Sequence, residues 1–379
     1  MSKNKRNPSP PAPLSHKERG GDKQAIHSPS LTVGQSETKS PPRSAGQSET
    51  KSPPRPSVGE GDLGGEGKAR PHLPVLLRQV LDALIPDPQN PPARVIDGTA
   101  GAGGHSQALI ESGVGGLLSF DIDPTAIRLA GEHLREPIES GRATLIHASY
   151  ADMGDYLGEM GWGDGVDGIL LDIGASSMHF DTPERGFSFM RDGPLDMRFD
   201  PTSGIPPASD IVNHWGHPEL ADLLREYGEE SEAGRYARVI INARPIDSTR
   251  HLADVIKAAS RPPRGRPITI HPATKTFQAL RIAVNDELGT IERALPAALN
   301  CLRPGGRLAV ISFHSLEDRI VKHTFKEWAE DIKSPPGMRL PEKDARVKLI
   351  SRKPIEADDA EIALNPRARS AKLRVVEKL

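Results

Sequence analysis

Ala93-Arg-Val-Ile-Asp-Gly-Thr-Ala-Gly-Ala-Gly-Gly-His105 is the stretch whose reading decides the fold. A short run that is apolar apart from Arg94 ends on Asp97, a loop with four glycines follows at once, and helical spacing resumes through Leu109 and Ile110. Strand, glycine loop and helix in that order make the opening unit of an α/β sheet whose loop backbone can approach a ligand closely. The same alternation continues downstream. Residues 117–121 read as a second strand and Pro124 opens a helix. Residues 143–147 and 167–172 read as strands three and four, and 307–313 as strand five. Nearly all-apolar strands separated by helices predict a parallel sheet covered on both faces, with ligands at the carboxyl ends of its strands.

The alternation stops after Asp172. From about residue 182 to 271 the sequence carries helical patterns at 218–227, 232–243 and 249–259, with Thr249 as a cap, and no good strand. One long helix is expected from 273 to 302, stopped by Pro304-Gly-Gly306, and weak strands near 347–351 and 373–376 close the chain. The expected organisation is a leader (1–69), a first part of an α/β core (70–181), an inserted helical domain for substrate recognition (182–271) and a second part of the core (272–379).

Composition bounds the rest. The 379 residues carry 49 basic and 51 acidic side chains, a net charge of −2. The first 70 residues hold 12 of the basic and 7 of the acidic ones, with ten prolines and no Phe, Trp or Tyr. A decapeptide, Gly34-Gln-Ser-Glu-Thr-Lys-Ser-Pro-Pro-Arg43, returns as Gly46 to Arg55. Nothing in it can form a core, so the leader reads as disordered, with a low-complexity extension, a basic RNA tether and a transit peptide as its alternatives. One cysteine, Cys301, excludes a disulfide framework and a multi-cysteine zinc site, and no metal is expected. No apolar run is long enough for a membrane span, so no membrane partner is expected and the setting is cytoplasmic.

The glycine loop lacks the third glycine of a strict G-x-G-x-x-G, which would fall on Ser106, and has no P-loop Gly-Lys-Ser/Thr. Asp121 ends strand two, 20 residues after Gly101, where a carboxylate can accept both ribose hydroxyls of an adenosine. Asp97 at the head of the loop suits a ligand with a cationic amino-acid moiety such as S-adenosylmethionine. A dinucleotide enzyme and a purely structural turn remain open on loop chemistry alone. Asp172-Ile-Gly-Ala-Ser-Ser177 and Ser312-Phe-His-Ser-Leu-Glu-Asp-Arg319 follow strands four and five at the same edge. Asp172 reads as a contact to cofactor or methyl acceptor, or as a turn cap with Ser176. His314 reads as an acid–base or base-contacting group, or as structural, and Ser315 with Glu317 as a helix start. The run 184–199 interleaves three phenylalanines with three arginines, either a nucleotide-stacking element or a packed connector. Arg261-Pro-Pro-Arg-Gly-Arg266 with Lys275 and Arg281 reads as a positive patch or a solvated basic loop.

Taken together, His72-Leu-Pro-Val-Leu-Leu, the glycine loop, Asp172-Ile-Gly-Ala-Ser-Ser177, the run from Arg185 to Arg198, Arg281-Ile-Ala-Val-Asn-Asp-Glu-Leu288, the His314 segment and Asn365-Pro-Arg-Ala-Arg-Ser-Ala-Lys-Leu-Arg374 resemble the bacterial ribosomal RNA small-subunit methyltransferase H family. The resemblance runs from about His72 to the end. It implies a Rossmann-like class I fold dependent on S-adenosylmethionine, with an inserted helical domain. It also implies methylation of N4 of cytidine 1402 in the decoding centre of 16S rRNA, within the small ribosomal subunit. Another RNA, a protein or a small molecule is the alternative methyl acceptor, and a homodimer is left open. Carried over by motif, cofactor contacts fall on Gly103, Gly104, His105, Asp121, Tyr150, Asp172 and His179. Tyr150 and His179 stand where family members often carry phenylalanine and glutamine. The catalytic group is expected among Asp172, Ser176, Ser177 and His314.

Overall fold

The computed structural model describes residues 74–261, 271–331 and 342–379. The leader and its repeat, and most of the basic run after Arg261, lie outside the described residues. Seven strands form one sheet: β1 (Arg94–Asp97), β2 (Gly116–Asp121), β3 (Ala143–His147), β4 (Val166–Asp172), β5 (Leu302–Ser312), β6 (Val347–Leu349) and β7 (Lys372–Lys378). Their order is β3-β2-β1-β4-β5-β7-β6. The first five run parallel, and β7 runs antiparallel to both β5 and β6. This is the Rossmann-like arrangement expected, with an antiparallel strand near one edge. Strand order reverses between β1 and β4, so the carboxyl ends of these two neighbours open onto a crevice that no crossover covers.

The helices of the first part are α1 (Leu77–Leu84), α2 (Gly104–Glu111), α3 (Pro124–His133), α4 (Arg135–Glu139), α5 (Met153–Leu157) and α6 (Ser177–Asp181). Those that follow are α7 (Ala208–His214), α8 (His217–Glu226), α9 (Ala233–Asn242), α10 (Thr249–Ala259), α11 (Thr274–Asn285), α12 (Glu287–Cys301), α13 (Ser315–Trp328) and α14 (Asp359–Leu364).

Each strand serves two cores because successive side chains point to opposite faces. Ile96, Leu118, Ile169, Leu171, Leu308 and Val310 pack on one face with Ile291, Leu295 and Phe325 of α12 and α13. Their strand neighbours Val95, Leu117, Leu170, Ala309 and Ile311 pack on the other with Val80, Leu84, Leu109 and Ile110 of α1 and α2. A third cluster takes nothing from the sheet: Ile211, Leu220, Leu224, Tyr236, Ile240, Leu252 and Ile256 from α7–α10, joined by Phe277, Leu280 and Val284 of α11 and by Leu195, Met197 and Ile246 of the connecting loops.

The single helix expected over 273–302 is two. Asp286 takes a left-handed conformation (φ 47°) between α11 and α12. Asn285 is held there: its amide donates to the Met197 carbonyl at 2.7 Å and accepts from Phe199 N at 2.7 Å. The break lets α11 pack in the helical cluster while α12 packs on the sheet. A second correction concerns α10: Ser248 is the cap, accepting from His251 N, while Thr249 Oγ1 accepts from Gly193 N at 3.1 Å.

The connector between β4 and α7 turns on Gly186, at φ 73°. A Cβ there would stand 2.2 Å from the Pro194 carbonyl oxygen and 2.8 Å from Asp196 N. Gly204 has a similar φ of 76° with nothing within 4 Å of such a Cβ. Gly186→Ala is therefore expected to cost about 3 kcal/mol or more of stability and Gly204→Ala about 1 kcal/mol. Urea unfolding of the two variants checks this; equal losses would contradict the packing.

Candidate active site

The glycine loop is braced from inside by Asp97. Its carboxylate is fully buried, accepting from Ser106 Oγ at 2.7 Å and from Thr99 N at 3.1 Å, and Ser106 Oγ lies 2.9 Å from Ser119 Oγ. The expectation that Asp97 faces a cationic ligand is thus corrected: its donors are supplied by the protein, and it shapes the turn. Asp121 at the end of β2 accepts from Gly101 N and Asp123 N, both at 2.8 Å. Burial nevertheless pushes its carboxyl up to about 6. Gly101, at φ 53°, has open space where a side chain would stand, so the loop presents bare backbone there. Gly103 (φ 91°) and Gly104 serve close approach. A Cβ would meet Ala130 Cα at 3.3 Å in the first case and Pro74 Cγ at 2.7 Å in the second. His105 is buried; its Nε2 donates to the Val75 carbonyl at 3.0 Å, and its Nδ1 stands 3.7 Å from Asp172 Oδ2.

Asp172 ends β4 across the crevice. Its backbone N–H donates to Thr99 Oγ1 at 2.7 Å, tying β4 to the glycine loop. Its carboxylate is less well served: Oδ1 is buried and has no hydrogen-bond partner among the described residues. Burial pushes this carboxyl up to about 6; nearby His105 opposes the shift, and the charges of Asp97 and Glu317 reinforce it. A buried acceptor without a donor costs roughly 1–3 kcal/mol, so this oxygen fits a ligand that brings an N–H or a positive charge. Tyr150 follows β3, and its Cβ would stand 2.9 Å from a Cβ on Gly98. Burial pushes the phenol well above its usual range, helped by the charges of Glu287 and Glu317.

Ser176 starts α6: its N–H donates to His179 Nδ1 at 3.0 Å, with Ser176 Oγ 3.2 Å from the same nitrogen. The Ser177 carbonyl accepts from Arg367 Nη2 at 3.3 Å. His179 Nε2 donates to Asp123 Oδ2 at 2.9 Å, and Arg185 Nη1 donates to the same oxygen at 2.8 Å. Burial favours the neutral imidazole, in keeping with one nitrogen accepting and the other donating. Burial also works against the Asp123 charge, but the bonds from His179 and Arg185 outweigh it and hold the carboxyl down at about 2. Both ring nitrogens of His179 are therefore engaged within the protein, and the ring lies 4.7 Å from Phe187 and 5.0 Å from Phe199.

The alternatives for 184–199 are decided by these contacts. Phe187 stacks on Phe199 at 5.6 Å, and Phe189 meets Phe277 and His271. Arg185 also donates to the carbonyls of Arg198 and Phe199, and Arg198 pairs with Asp196. The run is a packed connector, and the base-stacking reading of its aromatics is not supported. The expected surface patch loses Arg281, which is largely covered and held in an ion pair, and Lys275 caps the Glu229 carbonyl at 2.8 Å.

Sequence reasoning missed Glu317 and Glu287 as site residues. Arg281 donates to both oxygens of Glu287, at 2.8 and 2.9 Å. Glu317 accepts from Phe313 N and His314 N through Oε2, while His314 Nε2 stands 2.9 Å from Oε1. The Glu three places after the helix cap is a visible signal, but it reads as capping. The sheet thus brings Asp121, Asp172, the glycine loop and the His314 segment to one edge. Two cavities lie elsewhere: one is lined by Ile205, Ile211 and Trp215, the other by Leu84, Pro92 and Arg307.

Several curated proteins match this chain over most of its length. A family model described as the MraW methylase family matches residues 69–379. The "Ribosomal RNA small subunit methyltransferase H" of Heliobacterium mobile is 48% identical over 315 residues, spanning 81% of this chain and 99% of that protein. The protein of the same description from Geobacter sulfurreducens is 48% identical over 320 residues, with 81% and 99% covered. That of Nitratidesulfovibrio vulgaris strain DSM 19637 is 48% identical over 323 residues, with 83% and 88% covered.

Asp172 and Asp123 predict opposite pH signatures. A carboxyl raised to about 6 gives up stability as pH rises from about 4 through 6, so in the ligand-free protein Asp172→Asn should gain stability at pH 8, by up to about 3 kcal/mol. The gain should fade as pH drops below 6. A carboxyl lowered to about 2 supplies stability above pH 4 that is lost as pH falls through 2, so Asp123→Asn should lose stability at pH 8. Denaturant midpoints across pH 4–8 check both signs.

Proposed function

This chain belongs to the MraW methylase family, and we propose that it methylates N4 of cytidine 1402 in the decoding centre of 16S rRNA, in the cytoplasm, using S-adenosylmethionine. Support for rRNA methylation comes from the curated relatives at 48% identity, matched along nearly their whole length. The observation in this chain that carries the reading is Asp172 Oδ1, buried at the edge where β1 and β4 part and lacking a donor among the described residues.

S-adenosylmethionine supplies an electrophilic methyl group on a sulfonium centre. The residues fit such a ligand. Asp121 offers a carboxylate to ribose hydroxyls, the open backbone at Gly101 and the close-packed Gly103 and Gly104 admit its amino-acid end, and Tyr150 offers a ring face to adenine. His179 acts through Asp123, to which it is hydrogen-bonded, and His105 through Asp172, which its ring stands beside.

Cytosine N4 is a weak nucleophile because its lone pair is delocalised into the ring. Accepting its amino hydrogens while holding it in line with the methyl group lowers the barrier chiefly through orientation. Asp172 Oδ1 takes that role at the end of β4, with Ser176, Ser177 and His314 on the same edge as the further polar groups of the acceptor side. The helices between β4 and β5, residues 182–271, recognise the RNA in this reading.

Methyl transfer from tritiated donor should label assembled small subunits or naked 16S rRNA and leave protein and small-molecule fractions unlabelled. Asp172→Asn should lower turnover about 100-fold or more while binding S-adenosylhomocysteine within a few-fold of wild type. Label in protein instead of rRNA, or an Asp172→Asn enzyme at full speed, would overturn the reading.

A further inference from the structure

We propose that Glu317 is a specificity residue of this site: its buried Oε1 accepts the 4-amino group of the target pyrimidine and rejects a 4-keto group, so that cytosine is selected over uracil. The inference rests on the methyl-acceptor reading above and deepens it. Nine buried side-chain polar atoms lack a hydrogen-bond partner among the described residues, and two carboxylate oxygens of this edge, Asp172 Oδ1 and Glu317 Oε1, are among them. Such atoms are costly one at a time, and their concentration in one place points to a ligand that completes them.

Helix capping accounts for only half of the Glu317 carboxylate. Oε2 takes the N–H groups of Phe313 and His314 at 2.8 and 3.1 Å, which fixes the side chain at the start of α13. The side chain is 1% exposed, and Oε1 is left beside His314 Nε2 at 2.9 Å, out of line for a hydrogen bond. It faces the loop that Asp172 opens: a Cβ on Gly174 would stand 3.3 Å from Oε1. Gly174 has φ 103°, so this loop passes the carboxylate with backbone alone. Glu317 is also among the charges that act on Asp172.

Two ligand chemistries fit carboxylate oxygens, a cation and a hydrogen-bond donor. Glu287, His314 and Glu317 bring ligand atoms within 4.8 Å of one another. Arg281, however, occupies both oxygens of Glu287 and holds its Nη2 3.9 Å from Glu317 Oε1. That fixed positive charge opposes a divalent cation and leaves a neutral donor as the better occupant. An exocyclic amine has two N–H bonds, enough for Asp172 Oδ1 and Glu317 Oε1 together. The oxygen at the same position of uracil would turn its lone pairs toward two carboxylates.

The test uses the full chain with S-adenosylhomocysteine and no methyl transfer. Labelled enzyme is titrated with 16S rRNA carrying cytosine or uracil at the target, as naked RNA or reconstituted small subunits according to which the transfer assay accepts. Wild type should prefer cytosine about tenfold or more. Glu317→Gln keeps an oxygen for the cap and gains an amide that can donate to a keto oxygen. It should narrow the preference to about twofold, mainly through tighter binding of the uracil form, with S-adenosylhomocysteine affinity unchanged. Full preference retained in Glu317→Gln overturns the inference while leaving the methyltransferase reading intact, and so does a wild type that methylates rRNA but binds both bases equally. Zinc or magnesium binding that is lost in Glu317→Gln, with base preference unchanged, assigns the cluster to a cation and also overturns it. A wild type that transfers no methyl group to rRNA fails the earlier reading instead.

Discussion

A parallel sheet whose strand order reverses leaves one gap between carboxyl ends, and in this chain the gap is lined with acids that the protein has buried wholly or in large part. The fold's treatment of those acids differs from one to the next, and the differences define the site. Asp97 is completed by Ser106 and Thr99 and becomes a brace. Asp123 is completed by His179, Arg185 and Thr125 N and becomes an anchor. Asp121 is served by two backbone N–H groups, yet burial still dominates. Asp172 and Glu317 are each left with an oxygen that accepts no hydrogen bond from the described residues, although His314 and Arg281 stand beside that of Glu317. A buried carboxylate oxygen without a donor is costly, and at Asp172 burial raises the carboxyl to about 6. The edge is therefore prepared for hydroxyl and amine donors.

The connector from 184 to 199 ties this edge to the helical cluster. Arg185 reaches Asp123 on one side and the carbonyls of Arg198 and Phe199 on the other. Asn285 then binds Met197 and Phe199 from the far end of α11. Each bond is a charge-assisted or amide contact to backbone, of the sort that fixes register. The loop that follows Asp172 and the helices that follow the connector are thus held to the same few buried groups.

Much of the fold was legible because strand and helix periods are local. The apolar strands, the glycine loop after Asp97 and the acid ending β2 all announce themselves within a dozen residues. The failures have a common cause in contacts made across long sequence separations. Asp286 breaks a helix whose periodicity is unbroken on either side, because Asn285 is captured by residues almost 90 positions earlier. Asp97 looked available because its partner Ser106 is an ordinary residue of a helical turn. Phe187, Phe189 and Phe199 with their arginines have the composition of an RNA-stacking element, and only their partners reveal a packed connector. Glu317 read as a helix cap, which is true of one of its oxygens; its other oxygen acquires meaning only beside Gly174, on a different strand end.

The site itself is most directly tested by titration calorimetry of the full chain with S-adenosylhomocysteine and, in parallel, with NAD. Heat of binding with the former that is lost in Asp121→Ala, and none with NAD, is the predicted result. Binding of NAD in place of S-adenosylhomocysteine, or S-adenosylhomocysteine affinity unaffected by Asp121→Ala, would contradict the account.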